Sequence, residues 1–127
     1  MKNKKLYRTK KNRIKRKLRI RSTVSGTAER PRLTIYRSQR HIYAQLVDDL
    51  AGKTITGIST LSPQLKSAVE KAKEKGKIEL GFLIGNEIAK KAKDLKIESV
   101  VYDRNGFIYH GRVKAVAEGA RKGGLKF

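Results

Sequence analysis

The sequence has no cysteine and no tryptophan, only two prolines, and 11 acidic residues against 32 basic ones. Without cysteine there are no disulfides and no thiolate chemistry, and a reducing or an oxidising compartment would suit the chain equally. The two prolines make no proline-rich linker, no internal repeat is visible, and low complexity is confined to the basic start. Long apolar runs are also missing. No stretch approaches the roughly 20 apolar residues of a spanning helix, and no apolar segment follows the basic start as a secretory signal requires. A soluble, non-secreted chain is expected.

What is present is positive charge, a net +21 over 127 residues. Self-repulsion of that size calls for a polyanionic partner. Nucleic acid is the first candidate, because neutralising phosphates with Lys and Arg releases condensed counterions. An anionic membrane comes second and lacks an apolar segment to support it. Residues 1–21 hold twelve Lys and Arg and no acid, which leaves +9 elsewhere (+21 less +12). Such a run is expected to be disordered alone and to fold on phosphate, with Ile14, Leu18 and Arg21 at helical spacing. A matrix-targeting peptide is the alternative, but those are more amphipathic and Ser-rich. Ser22 to Thr27 reads as a hinge, so residues 1–28 form an extension and 29–127 one globular domain. The hydrophobic fraction of 38% suffices for two or three helices on one small sheet.

The domain opens with alternating runs, Arg32 to Ser38 and His41 to Val47, joined by a short turn. A second turn at Asp48, Asp49 and Gly52 leads into Lys53 to Thr60, completing an antiparallel three-strand meander. Period-two alternation puts Leu33 and Ile35 on one face and Arg32, Thr34, Tyr36 and Ser38 on the other. Ser62-Pro63 predicts the cap of a first helix with Leu65, Ala68, Val69 and Ala72 inward and Gly76 at its end. A second helix is expected from about Glu79 to Leu95 on the stripe Leu80, Ile84, Ile88, Ala89, Ala92 and Leu95. Gly81 and Gly85, four apart, point to close packing against a neighbour. Ile97 to Asp103 predicts a fourth strand parallel to an earlier one, followed by a tight turn at Asn105-Gly106 and an extended Phe107 to Tyr109. Arg112 to Lys122 predicts the last helix, with Val113, Val116, Ala117 and Ala120 inward and Gly123-Gly124 stopping it. The fold class is therefore α/β: a small mixed sheet, with helices packed on one face and a basic tail.

Chemistry other than binding finds little support. Asp48, Asp49 and Asp103 could in principle hold magnesium, as nuclease carboxylates do. Adjacent strand residues point to opposite faces, however, and Asp before Gly is common in turns. His41 and His110 lack metal-ligand spacing, and the glycine runs 81–85 and 119–124 fall within or at the end of helices instead of between strand and helix. No catalytic residue, cofactor or metal is expected. What remains is a mixture of bases, aromatics and small polar groups: Arg30, Arg32, Tyr36, Arg37, Ser38, Arg40, His41, Tyr43 and Gln45, then Arg104, Tyr109, His110 and Arg112. RNA recognition uses that mixture, with cations on phosphates, planar groups on unpaired bases and hydroxyls or amides on 2′-hydroxyls. Cross-strand packing is the competing explanation for Tyr36 and Tyr43.

Three segments go beyond composition: Glu29-Arg30-Pro31-Arg32-Leu33 with Tyr36-Arg37-Ser38; His41-Ile42-Tyr43-Ala44-Gln45 with Asp48-Asp49; and Val101 to Gly106 running through Tyr109-His110-Gly111-Arg112 to Phe127. With Ile58 to Leu61, they resemble the bacterial-type large-subunit ribosomal protein eighteen family over essentially the whole chain. The resemblance implies a structural role in the large ribosomal subunit: binding 5S rRNA and helping attach it to 23S rRNA in the central protuberance, beside ribosomal protein five. It implies no enzyme activity, no small-molecule substrate and a monomer when free, in a bacterial cytoplasm or an organellar ribosome. Arg8, Lys11, Arg13, Arg16, Arg19 and Arg21 resemble the family's RNA-gripping extension. Arg30, Arg32, Arg37, Ser38, Arg40, His41, Tyr43, Arg104, His110 and Arg112 match its motif positions near RNA. Departures are Asn105-Gly106, where the family often has Gly-Gly, and Gly81 and Ile84, where Ala and Val are more usual. A generic RNA chaperone and a ribonuclease are the competing classes.

Overall fold

The computed structural model describes Asn12, Ile14, Lys15 and Arg19, all helical and exposed, and residues 25–127. Strands β1 (Arg32–Arg37), β2 (Ile42–Asp48) and β3 (Lys53–Ser59) form the expected meander. A 3₁₀ turn, Pro63–Leu65, leads into α1 (Lys66–Lys75), and α2 (Lys77–Asp94) follows at once. Strand β4 (Val101–Asp103) and α3 (Arg112–Lys122) complete the domain. The sheet order is β3-β2-β1-β4, with β4 parallel to β1 and the other pairs antiparallel. Among the described residues no helix is long and apolar enough to cross a membrane.

Alternation decides which face is covered. Leu33 and Ile35 of β1, Ile42, Ala44 and Leu46 of β2 and Ile58 of β3 pack in one core with Leu80, Ile84, Ile88 and Ala92 of α2. Full burial of each large aliphatic side chain contributes about 1.5–3 kcal/mol. Helix α3 lies against α2 with backbones nearly touching: a Cβ built on Gly85 would lie 2.2 Å from the Val116 carbonyl oxygen, and one on Gly119 would lie 2.3 Å from that of Phe82. The spacing of Gly81 and Gly85 therefore marks close helix packing, as expected.

Local departures have local causes. Ser62 does not cap α1, because its Oγ accepts the Ser59 N–H at 3.1 Å and stabilises the end of β3. Gly76, at φ 108°, breaks the chain between the helices, so α2 begins at Lys77, two residues earlier than expected. Leu95 caps α2 and is 50% exposed instead of buried. The fourth strand is shorter than Ile97 to Asp103 because residues 98–100 pair with the chain's last residues: Val100 N–H donates to the Lys126 carbonyl and Lys126 N–H to that of Glu98. Asn105 and Gly106 form the expected turn at positive φ, but Phe107 to Tyr109 do not extend from it. The Phe107 N–H closes the turn on the Arg104 carbonyl, and its ring packs 6.0 Å from that of Tyr36.

Candidate nucleic-acid interface

The face of the sheet opposite the helices follows from the register. Thr34 pairs with Gln45, Tyr36 with Tyr43, Gln45 with Gly57 and Tyr43 with Ser59, so these side chains stand together. Tyr36, Gln45 and Gly57 are exposed, while Thr34, Tyr43 and Ser59 are half-buried. The Tyr36 and Tyr43 ring centroids lie 6.0 Å apart at an interplanar angle of 50°, which leaves much of both rings available. Among the described residues nothing covers this surface of two phenols, an amide and hydroxyls, which can stack on bases and hydrogen-bond sugars.

One end of that face is closed. Arg32 is 7% exposed: its Nε and Nη2 each donate to Asp49 at 3.0 Å, and its Nη1 donates to Asp103 at 2.7 Å. The hydrogen bonding it donates to Asp49 leads the causes that raise its pKa, with burial opposing. Asp49 also accepts the Gly26 N–H at 2.7 Å, so the end of the expected hinge is tied to the sheet. Arg32, one of the residues expected to contact RNA, has its guanidinium buried between two carboxylates. The same geometry accounts for the acids. Asp48 Oδ1 accepts the N–H groups of Leu50 and Ala51, shaping a turn, whereas Asp49 and Asp103 converge on a guanidinium.

The other end is cationic. The turn after β1 is held by Ser38, whose N–H and Oγ–H both donate to the His41 carbonyl while its Oγ accepts the His41 N–H. Ser38 thus supports the turn and, through its own carbonyl, receives Arg112 Nη1 at 2.9 Å. Burial, followed by the nearby charge of Arg37, lowers the Arg112 pKa. Arg37 lies over the Phe107 ring at 5.0 Å. Arg40 is exposed on the turn, and His41 Nδ1 sits 2.9 Å from Thr60 Oγ1, leaving Nε2 for another partner. Arg40 and His41 line a cleft of about 310 Å³ with Lys66 and Lys73; Arg37, His110 and Arg112 line another, of about 360 Å³, with Lys77. Arg30 is exposed at the far end, and Arg104 is half-buried beyond β4. Of the basic extension, Arg19 is exposed and helical, whereas Arg8, Lys11, Arg13, Arg16 and Arg21 lie outside the described residues.

A family-wide sequence profile described as "Ribosomal L18 of archaea, bacteria, mitoch. and chloroplast" matches residues 7–127. The chain belongs to the ribosomal L18 family. Relatives named "Large ribosomal subunit protein uL18" include that of Nitratidesulfovibrio vulgaris strain Hildenborough, 56% identical over 91% of this chain and 93% of that one. The Bdellovibrio bacteriovorus protein is 51% identical over 91% of this chain and 88% of its own length. That of Treponema denticola is 50% identical over 91% of both. Sequence reasoning about this L18-family chain passed over Lys66, Lys73 and Lys77, which no local signal separates from the many other lysines.

Proposed function

We propose that this chain is a structural constituent of the large ribosomal subunit that binds 5S rRNA through its open sheet face and basic extension. In the same reading it helps attach 5S rRNA to 23S rRNA in the central protuberance, beside ribosomal protein five, in the ribosomes of a bacterial cytoplasm. Family membership supports the coarser, ribosomal half. The observation that carries the RNA-binding half is the uncovered face itself: Tyr36, Tyr43, Thr34 and Gln45 are exposed or half-buried where helices could have packed.

The division of labour follows from chemistry. Extension cations neutralise phosphates without regard to sequence and set a steep salt dependence. The sheet face and the fixed guanidiniums of Arg37 and Arg112 discriminate, because they require unpaired bases and a particular shape. No reaction is assigned, since Asp49 and Asp103 embrace Arg32 where a nuclease would place its metal. The test is competition between 5S rRNA and an unrelated RNA of matched length at moderate salt. Clear preference for 5S rRNA is expected, and equal affinity for the two would count against the reading.

A further inference from the structure

Of the four asparagines only Asn105 is followed by glycine. The pair forms the turn after β4, with φ of 56° at Asn105 and 76° at Gly106 and the Phe107 N–H closed on the Arg104 carbonyl at 3.0 Å, the pattern of a type I′ turn. Asn105 is only 9% exposed, and its Oδ1 is buried without a hydrogen-bond partner. Among the described residues nothing accepts the Gly106 N–H either. An electrophilic amide carbon and the nitrogen of the next residue are therefore neighbours in the chain, neither of them engaged elsewhere. Glycine has no Cβ to shield that nitrogen. What keeps the two from reacting is the turn, because the Asn105 backbone must rotate out of it before the Gly106 nitrogen can face Cγ. Two contacts hold it shut: Asp103 Oδ1 accepts the Asn105 N–H at 2.8 Å, and the Phe107 ring packs 6.0 Å from that of Tyr36 and 5.0 Å from the Arg37 guanidinium.

We infer that Asn105-Gly106 is a deamidation site gated by this turn, silent while the turn is closed and reactive when it opens. The co-reactant is water. In the open chain the Gly106 nitrogen gives its proton to hydroxide and attacks Asn105 Cγ, forming a new N–Cγ bond. The Cγ–Nδ2 bond breaks, and ammonia leaves with a proton taken from water. Water then opens the succinimide ring at either carbonyl, giving aspartate or isoaspartate; one water is exchanged for one ammonia, and nothing is oxidised or reduced. Either product works against the fold. Aspartate places a second carboxylate two residues from the fully buried Asp103, and isoaspartate lengthens the backbone by one carbon inside a closed turn. Phe107 then loses its seat, and Arg37 the ring it lies over. Because the change is irreversible, it marks chains that have spent time open and removes them from the closed population. None of this chemistry depends on RNA.

The full chain should be incubated in mildly alkaline buffer, folded in one sample and unfolded in guanidinium chloride in another. Peptide mapping by mass spectrometry reads amide-to-acid conversion, isoaspartate-specific enzymatic methylation identifies the second product, and Asn86, followed by Glu87, is the internal control. Conversion at Asn105 is expected to be at least about tenfold faster in the unfolded sample, since a turn closed nine-tenths of the time or more reacts only when open. Phe107→Ala should raise the rate in the folded sample and leave the unfolded rate unchanged, with Phe107→Leu in its place if the alanine chain does not fold. Asn105→Gly, which suits the positive φ, should keep the fold and abolish conversion at this position. The modified fraction, separated by ion exchange, should melt roughly 4–8 °C below the parent. Equal rates in the folded and unfolded samples would overturn the gating, and an unfolded chain in which Asn105 converts no faster than Asn86 would overturn the site. A modified fraction that melts with the parent would overturn the cost to the fold.

Discussion

Replacing Arg32 by methionine keeps the side chain's bulk and removes its charge. The Asp103 side chain is fully buried, so without Arg32 its carboxylate would lose its cation and, among the described residues, keep the hydrogen bond from the Asn105 N–H at 2.8 Å. Asp49, with 29% of its side chain exposed, can rehydrate and costs less. Stripping one partner from a buried ion pair destabilises by about 3–5 kcal/mol, because a desolvated charge is left behind. At about 4 °C per kcal/mol for a domain of this size, thermal denaturation followed by circular dichroism should show Tm falling by roughly 12–20 °C. Arg32→Lys should recover little, since one ammonium cannot reproduce three donors directed at two carboxylates. Adding Asp103→Asn to Arg32→Met should recover part of the loss by neutralising the stranded charge. Affinity for 5S rRNA, measured well below the lowered Tm, should stay within about twofold of the parent, inside the small range left when no contact is lost. A variant that melted like the parent but bound RNA much more weakly would refute the assignment and return Arg32 to the interface.

Gly85→Ala should destabilise by about 2 kcal/mol in urea denaturation: the new methyl meets backbone of α3 that cannot rotate away, which outweighs the roughly 1 kcal/mol gain in helix propensity. Burial raises the Tyr102 phenol well above its ordinary value of 10.0. Above pH 10 the unfolded chain therefore releases a proton that the folded chain retains, and stability falls as pH rises, by up to about 1.4 kcal/mol per unit. Tyr102→Phe loses the hydrogen bond to the Val113 carbonyl, about 1 kcal/mol at neutral pH, but should decline less steeply in alkali, as denaturation at pH 8 and pH 11 would show. Deleting residues 1–21 removes twelve bases. It should weaken binding to every RNA and flatten the salt slope while preserving the preference for 5S rRNA; loss of the preference alone would reverse the roles of extension and sheet.

Elements whose signal is local were legible in the sequence. Alternation around Leu33 and Ile35 identified the covered face of β1, and the Ile84, Ile88 and Ala92 stripe identified the buried side of α2. Features that depend on distant partners were not. Parity places Arg32 on the same face as Thr34 and Tyr36, but only the fold brings Asp103 from 71 positions away to bury it. Residues 98–100 have the composition of a strand, yet the chain terminus claims their hydrogen bonds. The cleft of Arg37, Lys77, Ile108 and Arg112 is assembled from three separate segments, none of which carries a motif for it. Gly81 and Gly85 were readable because a four-residue glycine spacing on a helix leaves a groove that only another backbone fills this closely.

Ultraviolet crosslinking of the chain to 5S rRNA, with adducts mapped by mass spectrometry, addresses the open face most directly. Adducts at Tyr36 and Tyr43 are expected. Adducts confined to the helical side, at exposed residues such as Lys90 and Lys93 of α2, with both tyrosines unmodified, would contradict the account.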